Sequence, residues 1–221
     1  MGLRNMTDEH MLDGFDFNSI DEAITDITNG KMIIVVDDPN RENEGDIIQA
    51  AEFITADSVN FAVKEARGLI CAAVGKHVAD RLDLHAMVNN NSSLHCTGFT
   101  VSVDAVQGTT TGISAYDRAR TFDVLVDRHS KPEHLGRPGH IFPIVAKSGG
   151  VLRRTGHTEA SVDLCKLAGC EPVAMMCEIM AEDGTMMRLP SLSQFAKTNK
   201  LKIITIADLI TYRRQREHYI E

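Results

Sequence analysis

The sequence predicts an α+β (mixed α/β) fold, a single domain whose mixed sheet has helices packed around it. Three observations predict it. Short runs rich in Val and Ile, such as MIIVV (32–36), GLICAAV (68–74) and KIITI (202–206), have the length and composition of buried strands. Between them lie segments with helix-start and helix-stop residues. The two kinds of segment do not alternate strictly: residues 85–113 carry strand and loop signals with little helix, which suits a mixed sheet. At 221 residues the chain is long enough for one sizeable core, and no linker, repeat or low-complexity segment divides it. Residues 1–17 read as an N-terminal extension and 18–221 as the domain.

Ser19, a hydroxyl N-cap followed by acids, opens a helix that ends at Gly30. The strand MIIVV follows, and then the polar stretch DDPNRENEGD (37–46). Asp57 caps a second helix, SVNFAVKEAR, stopped by Gly68 before the strand GLICAAV. GFTVSVDA (98–105) alternates apolar Phe99, Val101 and Val103 with polar Thr100, Ser102 and Asp104, the pattern of a half-buried strand. Ser114 starts a helix with Asp117 at its third position. HIFPIVA (140–146) is extended, and Pro143 marks an edge or irregular place in it. Thr158 N-caps a helix that runs through ASVDLCKLAG and stops at Gly169. VAMMCEIM (173–180) is a strand and DGT (183–185) a turn. A helix from Ser191, the strand KIITI and a last helix, ADLITYRRQREHYI, complete the order.

Hydrophobic content of 43% and charged content of 24% are ordinary for a folded protein. A formal net charge of -8 argues against nucleic acid or an anionic membrane as partner, although a local site can still be basic. The basic run RRQRE (213–217) reads as a solvated helix face. No apolar run approaches the ~20 residues of a membrane span, and residues 1–17 show no signal-peptide pattern. Five cysteines, an odd number without C-x-x-C, argue against a disulfide framework or zinc ribbon. Cys165, Cys170 and Cys177 read as buried thiols, and the compartment expected is the reducing cytoplasm.

Polar residues gather at the ends of apolar elements. In DDPNRENEGD the density of carboxylates suits Mg²⁺ or Mn²⁺, and Arg41 among them can hold an anion, but a solvated acidic loop is the commoner fate of such a run. In GVLRRTGHTEASVDL (150–164) a helix N-terminus, Arg154 and His157 converge, which is the composition of an anion site with a metal-binding imidazole beside it. His140 follows the turn Gly136, Pro138, Gly139 and is a candidate acid or base, or a satisfied histidine at a strand start. Glu178 is a carboxylate in a very apolar strand. If buried it needs a partner, and its pKa rises where desolvation prevails; it can equally sit on an exposed face. The Gly/Thr loop GTTTGISAYDR (108–118) is a weaker candidate for cradling a phosphate or sugar.

Five motifs occur in order: D-x-x-R-E-N-E-G-D (38–46), T-T-G-I-S-A-Y-D-R (110–118), R-P-G-H-I-F-P (137–143), R-x-G-H-T-E-A (154–160) with V-D-L (162–164), and C-E (177–178) with D-G-T-M (183–186). Together they resemble the 3,4-dihydroxy-2-butanone 4-phosphate synthases of riboflavin biosynthesis, from Ser19 to about Tyr212. In many organisms that unit is fused to GTP cyclohydrolase II; this chain resembles the stand-alone form.

The resemblance implies that D-ribulose 5-phosphate loses C4 as formate and gives L-3,4-dihydroxybutan-2-one 4-phosphate. It implies Mg²⁺ or Mn²⁺, two ions per site, and a homodimer with active sites near the interface. By position, Glu42 and His157 correspond to the metal ligands, with Glu42 serving both ions. Arg41, Glu42, Asp46, Arg154, Thr155, Gly156, His157, Thr158 and Glu178 correspond to substrate-binding positions, with Arg154 and Thr158 at the phosphate. His140 and Glu178 correspond to catalytic positions, and Asp37 and Cys71 resemble further ones. Enolisation beside a carbonyl, dehydration and a skeletal shift need this combination of Lewis acid, proton carriers and phosphate anchor. Two rivals remain: a Mg²⁺-dependent isomerase or aldolase acting on the same sugar phosphate, and a regulatory module that binds metal or phosphosugar without turnover.

Overall fold

In the computed structural model, which describes residues 15–216, seven strands form one mixed sheet in the order β4-β5-β3-β6-β2-β1-β7. The strands are β1 (Ile33–Val36), β2 (Gly45–Ala50), β3 (Cys71–Val74), β4 (Val103–Ala105), β5 (Leu135–Val145), β6 (Val173–Glu178) and β7 (Lys202–Thr205). The β1/β7 and β3/β5 pairs are parallel. The β1/β2, β2/β6, β3/β6 and β4/β5 pairs are antiparallel. Single-domain α+β architecture with a mixed sheet is therefore what the chain adopts.

Helices cover both faces of the sheet. Because side chains alternate along a strand, Ile34, Ile47, Ala72, Met175 and Ile203 point to one side, where α2 (Ala56–Phe61), α3 (Lys76–Arg81), α4 (Ala115–Val126) and α6 (Leu189–Asn199) pack. Ile33, Val35, Ile48, Cys71, Met176 and Ile204 point to the other, against α1 (Ile20–Thr28), α5 (His157–Leu167) and α7 (Ile206–Arg216). The strands are buried on both faces, which is why MIIVV and VAMMC read as continuous apolar runs.

The helix starts reveal the local chemistry. At α1, Ser19 and Glu22 form a reciprocal capping box. Thr55, not Asp57, caps α2: its hydroxyl accepts from Ser58 N–H and leaves Asp57 in the first turn. The segment after α2 continues as a π-helical turn over Ala62–Ala66. Ser114 accepts from Asp117 N–H at the start of α4. Gly156, not Thr158, is the N-cap of α5, and no side chain caps this end. Arg188 precedes α6, which starts at Leu189 with Pro190 in its first turn, two residues before the expected Ser191.

The expected strand 98–105 is the least regular element. Thr100, Ser102 and Val103 are buried, which is not the predicted alternation, because the pairing with β5 shifts register between Val103 and Asp104. Before that shift there are only single bridges, Ala86 to Thr100 and Phe99 to Ile144. Pro143 lies in this irregular zone, inside the sheet rather than at its edge: it faces Ala72 of β3, and its carbonyl accepts from Thr100 N–H. Phe15 and Phe17 pack on the core and Asn18 N–H bonds Ile203 O, so the packing does not mark a boundary at residue 18. Residues 1–14 and the end of the basic run at 217 lie outside the described residues.

Candidate active site

Register across the sheet brings the distant motifs together. Asp46 of β2 pairs with Glu178 of β6, and their side chains point to the α5 face. On its other side Glu178 faces the segment leading into β3, where Arg67 bridges Ile179, one residue off the β3/β6 register. Leu69 N–H donates to Glu178 Oε2 (3.0 Å). By alternation along β5 from Ile144 and Phe142, His140 is on the same face as Glu178 and Asp46.

The loop between β1 and β2 folds around Asp37. Its buried carboxylate accepts from Glu42 N–H (3.0 Å), Glu44 N–H (2.9 Å) and Arg41 Nη1 (2.9 Å). Arg41 Nη1 also reaches Glu42 Oε2 (2.6 Å). From outside, Arg188 Nη1 donates to the Glu42 carbonyl (3.0 Å) and to that of Asn43. The acidic stretch is therefore a built loop whose Glu42 side chain is aimed at the start of α5.

There, Glu42 Oε2 lies 3.4 Å from His157 Nδ1, and Asp46 Oδ1 lies 3.9 Å from it. Ligand atoms of Asp37, Glu42 and His157 all fall within 4.8 Å of one another. Burial would lower the His157 pKa, but Asp46, Glu42 and Asp37 outweigh it and hold it up at about 9. Burial would raise Glu42, but the bond to His157 and the Arg41 guanidinium bring it down to about 2. Asp46 is raised by burial, with His157 opposing and Glu178 and Glu42 adding to the rise. At neutral pH a proton therefore sits among these carboxylates, and an arriving cation displaces it.

Whether the residues fit a divalent cation can be judged from the donors themselves. They offer hard anionic oxygens and one imidazole. Among the described residues, Asp46 Oδ1 and His157 Nε2 are buried here without a hydrogen-bond partner, which native proteins rarely leave so. The set fits Mg²⁺ or Mn²⁺, with Glu42 and His157 the residues to hold it.

These groups line a cavity of about 130 Å³ that also includes Glu44, Arg154, Thr158 and Glu178, over an apolar floor of Phe99, Ile144 and Met176. Arg154 is fixed at the helix start: Nη1 donates to Glu159 Oε2 (2.7 Å), and Nη2 to Thr97 Oγ1 (3.2 Å) and His95 O (3.3 Å). Glu159 is 1% exposed and also accepts from Lys147 N–H (2.9 Å). A Cβ on Gly156 would stand 2.2 Å from Arg154 Nη1, so only glycine lets the guanidinium cross the helix end. With no side-chain cap, the first-turn N–H groups are left for an anion.

Not every expected residue is in this cavity. Thr155 is exposed and outside the lining, and Gly156 acts as backbone only. Asp37 stands behind the loop, accepting three hydrogen bonds from it, outside the lining. Cys71 is one row deeper, beside Met176, and burial pushes its thiol well above the ordinary range, so it stays protonated. His140 is on the same face but also outside the lining, held by Asp104 through Nδ1 to Oδ2 (2.7 Å) and backbone N–H to Oδ1 (2.8 Å). Gly112, at φ +93 and with no room for a Cβ beside Asp104, closes the Gly/Thr loop over this pair. That loop is organised by Asp117, which accepts from Thr110 and Gly112.

Sequence reasoning missed Glu159, Asp104, Thr97, His95 and Arg188 as site residues. Glu159 lay inside a quoted motif, but a glutamate three residues into a helix reads first as a cap. Asp104 carried a strand-alternation signal only, and His95 and Arg188 carried none.

Comparison with known proteins follows the same residues. The family model described as 3,4-dihydroxy-2-butanone 4-phosphate synthase matches residues 21–212. The riboflavin biosynthesis protein RibBA of Aquifex aeolicus is 56% identical over 209 residues, covering 94% of this chain and 52% of its own. The monofunctional riboflavin biosynthesis protein RIBA 2, chloroplastic, of Arabidopsis thaliana is 55% identical over 207 residues, 93% of this chain and 44% of its own. The chain thus spans about half the length of the curated relatives it matches. A crystal structure described as 3,4-dihydroxy-2-butanone 4-phosphate synthase in complex with two magnesium ions superposes with a TM-score of 0.86 at 43% identity, covering 90% of this chain and 98% of that one. RibBX of A. baumannii, described as a two-domain 3,4-dihydroxy-2-butanone 4-phosphate synthase, gives 0.88 at 46%, covering 91% and 59%. Since the match runs from the first turn of α1 into α7 and takes in every strand of the sheet, this chain belongs to the 3,4-dihydroxy-2-butanone 4-phosphate synthase family.

Proposed function

We propose that the protein converts D-ribulose 5-phosphate to L-3,4-dihydroxybutan-2-one 4-phosphate and formate, supplying the four-carbon unit for riboflavin. The observation that carries this reading is the shared cavity, in which the Glu42–His157 pair faces Arg154, the uncapped start of α5 and Glu178. Membership of the family and the curated relatives' names support it.

Mg²⁺ or Mn²⁺, two ions in this reading as in the solved relative, would supply Lewis acidity toward the carbonyl and hydroxyl oxygens of the sugar. Glu42 and His157 hold the metal, and Asp37 fixes Glu42 by clamping its loop. Arg154, Thr158 and the first-turn N–H groups of α5 bind the phosphate, which leaves the reacting carbons over Glu178 and Asp46. Arg41 stays paired with carboxylates and lines the sugar end. Glu178 is placed to take and return protons. His140 serves a second proton transfer: the Asp104 carboxylate on its Nδ1 fixes the tautomer that leaves Nε2 as the working atom. The Met176–Ile144–Phe99 floor limits water around the reacting carbons.

The same reading makes the protein a homodimer with active sites near the interface. Exposed Leu69 beside Glu178, and exposed Ile113 and Tyr116 beside the loop over His140, support it. Residues 18–221 hold the proposed catalytic unit; the solved relative covered to 98% supports a unit of this extent. No helix among the described residues is long and apolar enough to cross a membrane. The described cysteines are unpaired, which accords with a cytoplasmic setting. Incubation with ribulose 5-phosphate and Mg²⁺, with and without EDTA, tests the function. Formate that depends on metal is expected; sugar conversion without formate would return the reading to an isomerase or aldolase.

A further inference from the structure

We propose that His95 is a metal ligand in this chain, forming with Glu42 a second divalent-cation position beside the one made by Glu42 and His157. The inference deepens the reading of the cavity as a metal-dependent sugar-phosphate site and rests on it. Glu42 divides its two oxygens between two imidazoles. Oε2 takes Arg41 at 2.6 Å and faces His157 Nδ1 at 3.4 Å. Oε1 has no hydrogen bond among the described residues and faces His95 Nε2 at 4.0 Å. That gap is too long for a direct N–H···O bond. It leaves room for one octahedral cation between the two atoms, whose bonds would run at about 2.0–2.1 Å.

The segment that presents His95 is fixed from the phosphate side of the cavity. Arg154, itself anchored on Glu159, donates to His95 O and Thr97 Oγ1. Asn91 Nδ2 donates to Thr97 O (2.8 Å), and Cys96 N–H to Ser93 O (3.0 Å). The imidazole therefore hangs over Glu42 from the same wall that ends in the phosphate anchor. Its side chain is 33% exposed, which leaves coordination positions for substrate oxygens and water.

The test is electron paramagnetic resonance on the intact chain titrated with Mn²⁺ alone, with pulsed detection of coordinating imidazole nitrogens. The wild type is expected to bind two Mn²⁺ and to show two imidazole couplings. His95→Ala should keep one site, weaken the other by at least about tenfold and lose one coupling. His129→Ala, an exposed histidine in the turn after α4, should match the wild type. Two sites of unchanged affinity, or two remaining imidazole couplings in His95→Ala, would overturn the inference and leave the cavity reading intact. No Mn²⁺ binding to the wild type, or none lost in Glu42→Gln, would overturn the cavity reading itself.

Discussion

Glu178 shows what a single residue owes to its neighbours. In an apolar strand it looks misplaced, yet Leu69 N–H satisfies one oxygen and register puts it opposite Asp46 at the cavity. Replacing it by Gln keeps the shape and removes the proton carrier. Formate release by Glu178→Gln is expected to fall on the order of 10²–10⁴-fold with an unchanged melting temperature, because the loss is one of acid–base catalysis. Glu159 acts differently, through Arg154. Glu159→Gln still accepts from Lys147 N–H but gives up the charge on the Arg154 bond, a difference of about 1–2 kcal/mol. The expected result is a rise of roughly tenfold in KM for the sugar phosphate with kcat little changed, and steady-state kinetics separates the two. Neither role is visible from residue type alone, since each depends on a partner brought in by the fold, Leu69 N–H for Glu178 and Lys147 N–H for Glu159.

At the scale of elements, the helix starts carry the information. The sequence signals for α1 and α4 are side-chain caps, which act within four residues, and both starts lie where those signals place them. At α5 Thr158 looked like the cap, but Gly156 holds that place because the crossing Arg154 guanidinium excludes any side chain there. Gly156→Ala is therefore expected to keep the fold, since φ -111 suits alanine, and to displace Arg154. Calorimetry should show phosphate binding weakened while Mn²⁺ binding at Glu42 and His157 persists. A second junction joins α3, the turn after α4 and the start of β6: buried Glu171 meets His77 Nε2 (3.2 Å) and Arg128 Nε (2.6 Å). Burial alone would raise the Glu171 carboxyl, but His77 and Arg128 outweigh it and hold it below its ordinary 4.5. A depressed folded-state pKa contributes stability that is complete above 4.5 and disappears as pH falls through the folded value. Urea midpoints of wild type and Glu171→Gln should thus differ at neutral pH and converge in acid. The difference is expected to be about 1 kcal/mol, because both partners of Glu171 are solvent-exposed.

For the whole molecule, the site is the product of sheet order. The β1–β2 loop, the start of α5 and the end of β6 meet because β2 lies beside β6 and α5 packs on the face to which Asp46 and Glu178 point. A cation binding there ties these elements together and binds only the folded state. Saturating Mn²⁺ at about 100 times its dissociation constant is expected to add roughly 2.7 kcal/mol. Scanning calorimetry should show this as a higher melting temperature that EDTA reverses and Glu42→Gln lacks. The dimer proposal belongs to the same scale: sedimentation equilibrium at micromolar chain concentration should give twice the chain mass, and a single-chain mass would reject it.

By itself the sequence determined what is local or carried in order along the chain. Apolar runs marked the strands β1, β3, β6 and β7, since burial on both faces favours apolar residues at most of their positions. Ordered motifs carried the family, because they stand at strand ends and helix starts where few residue types suffice. Tertiary structure alone decided strand order, the register that pairs Asp46 with Glu178, and the irregular pairing at 98–105. It also decided that Asp37 clamps the loop, that Cys71 lies within the core, and that His95, Asp104, Glu159 and Arg188 contact Arg154, His140 and the Glu42 loop. Those assignments depend on contacts between residues tens of positions apart, and neither periodicity nor capping chemistry reaches that far.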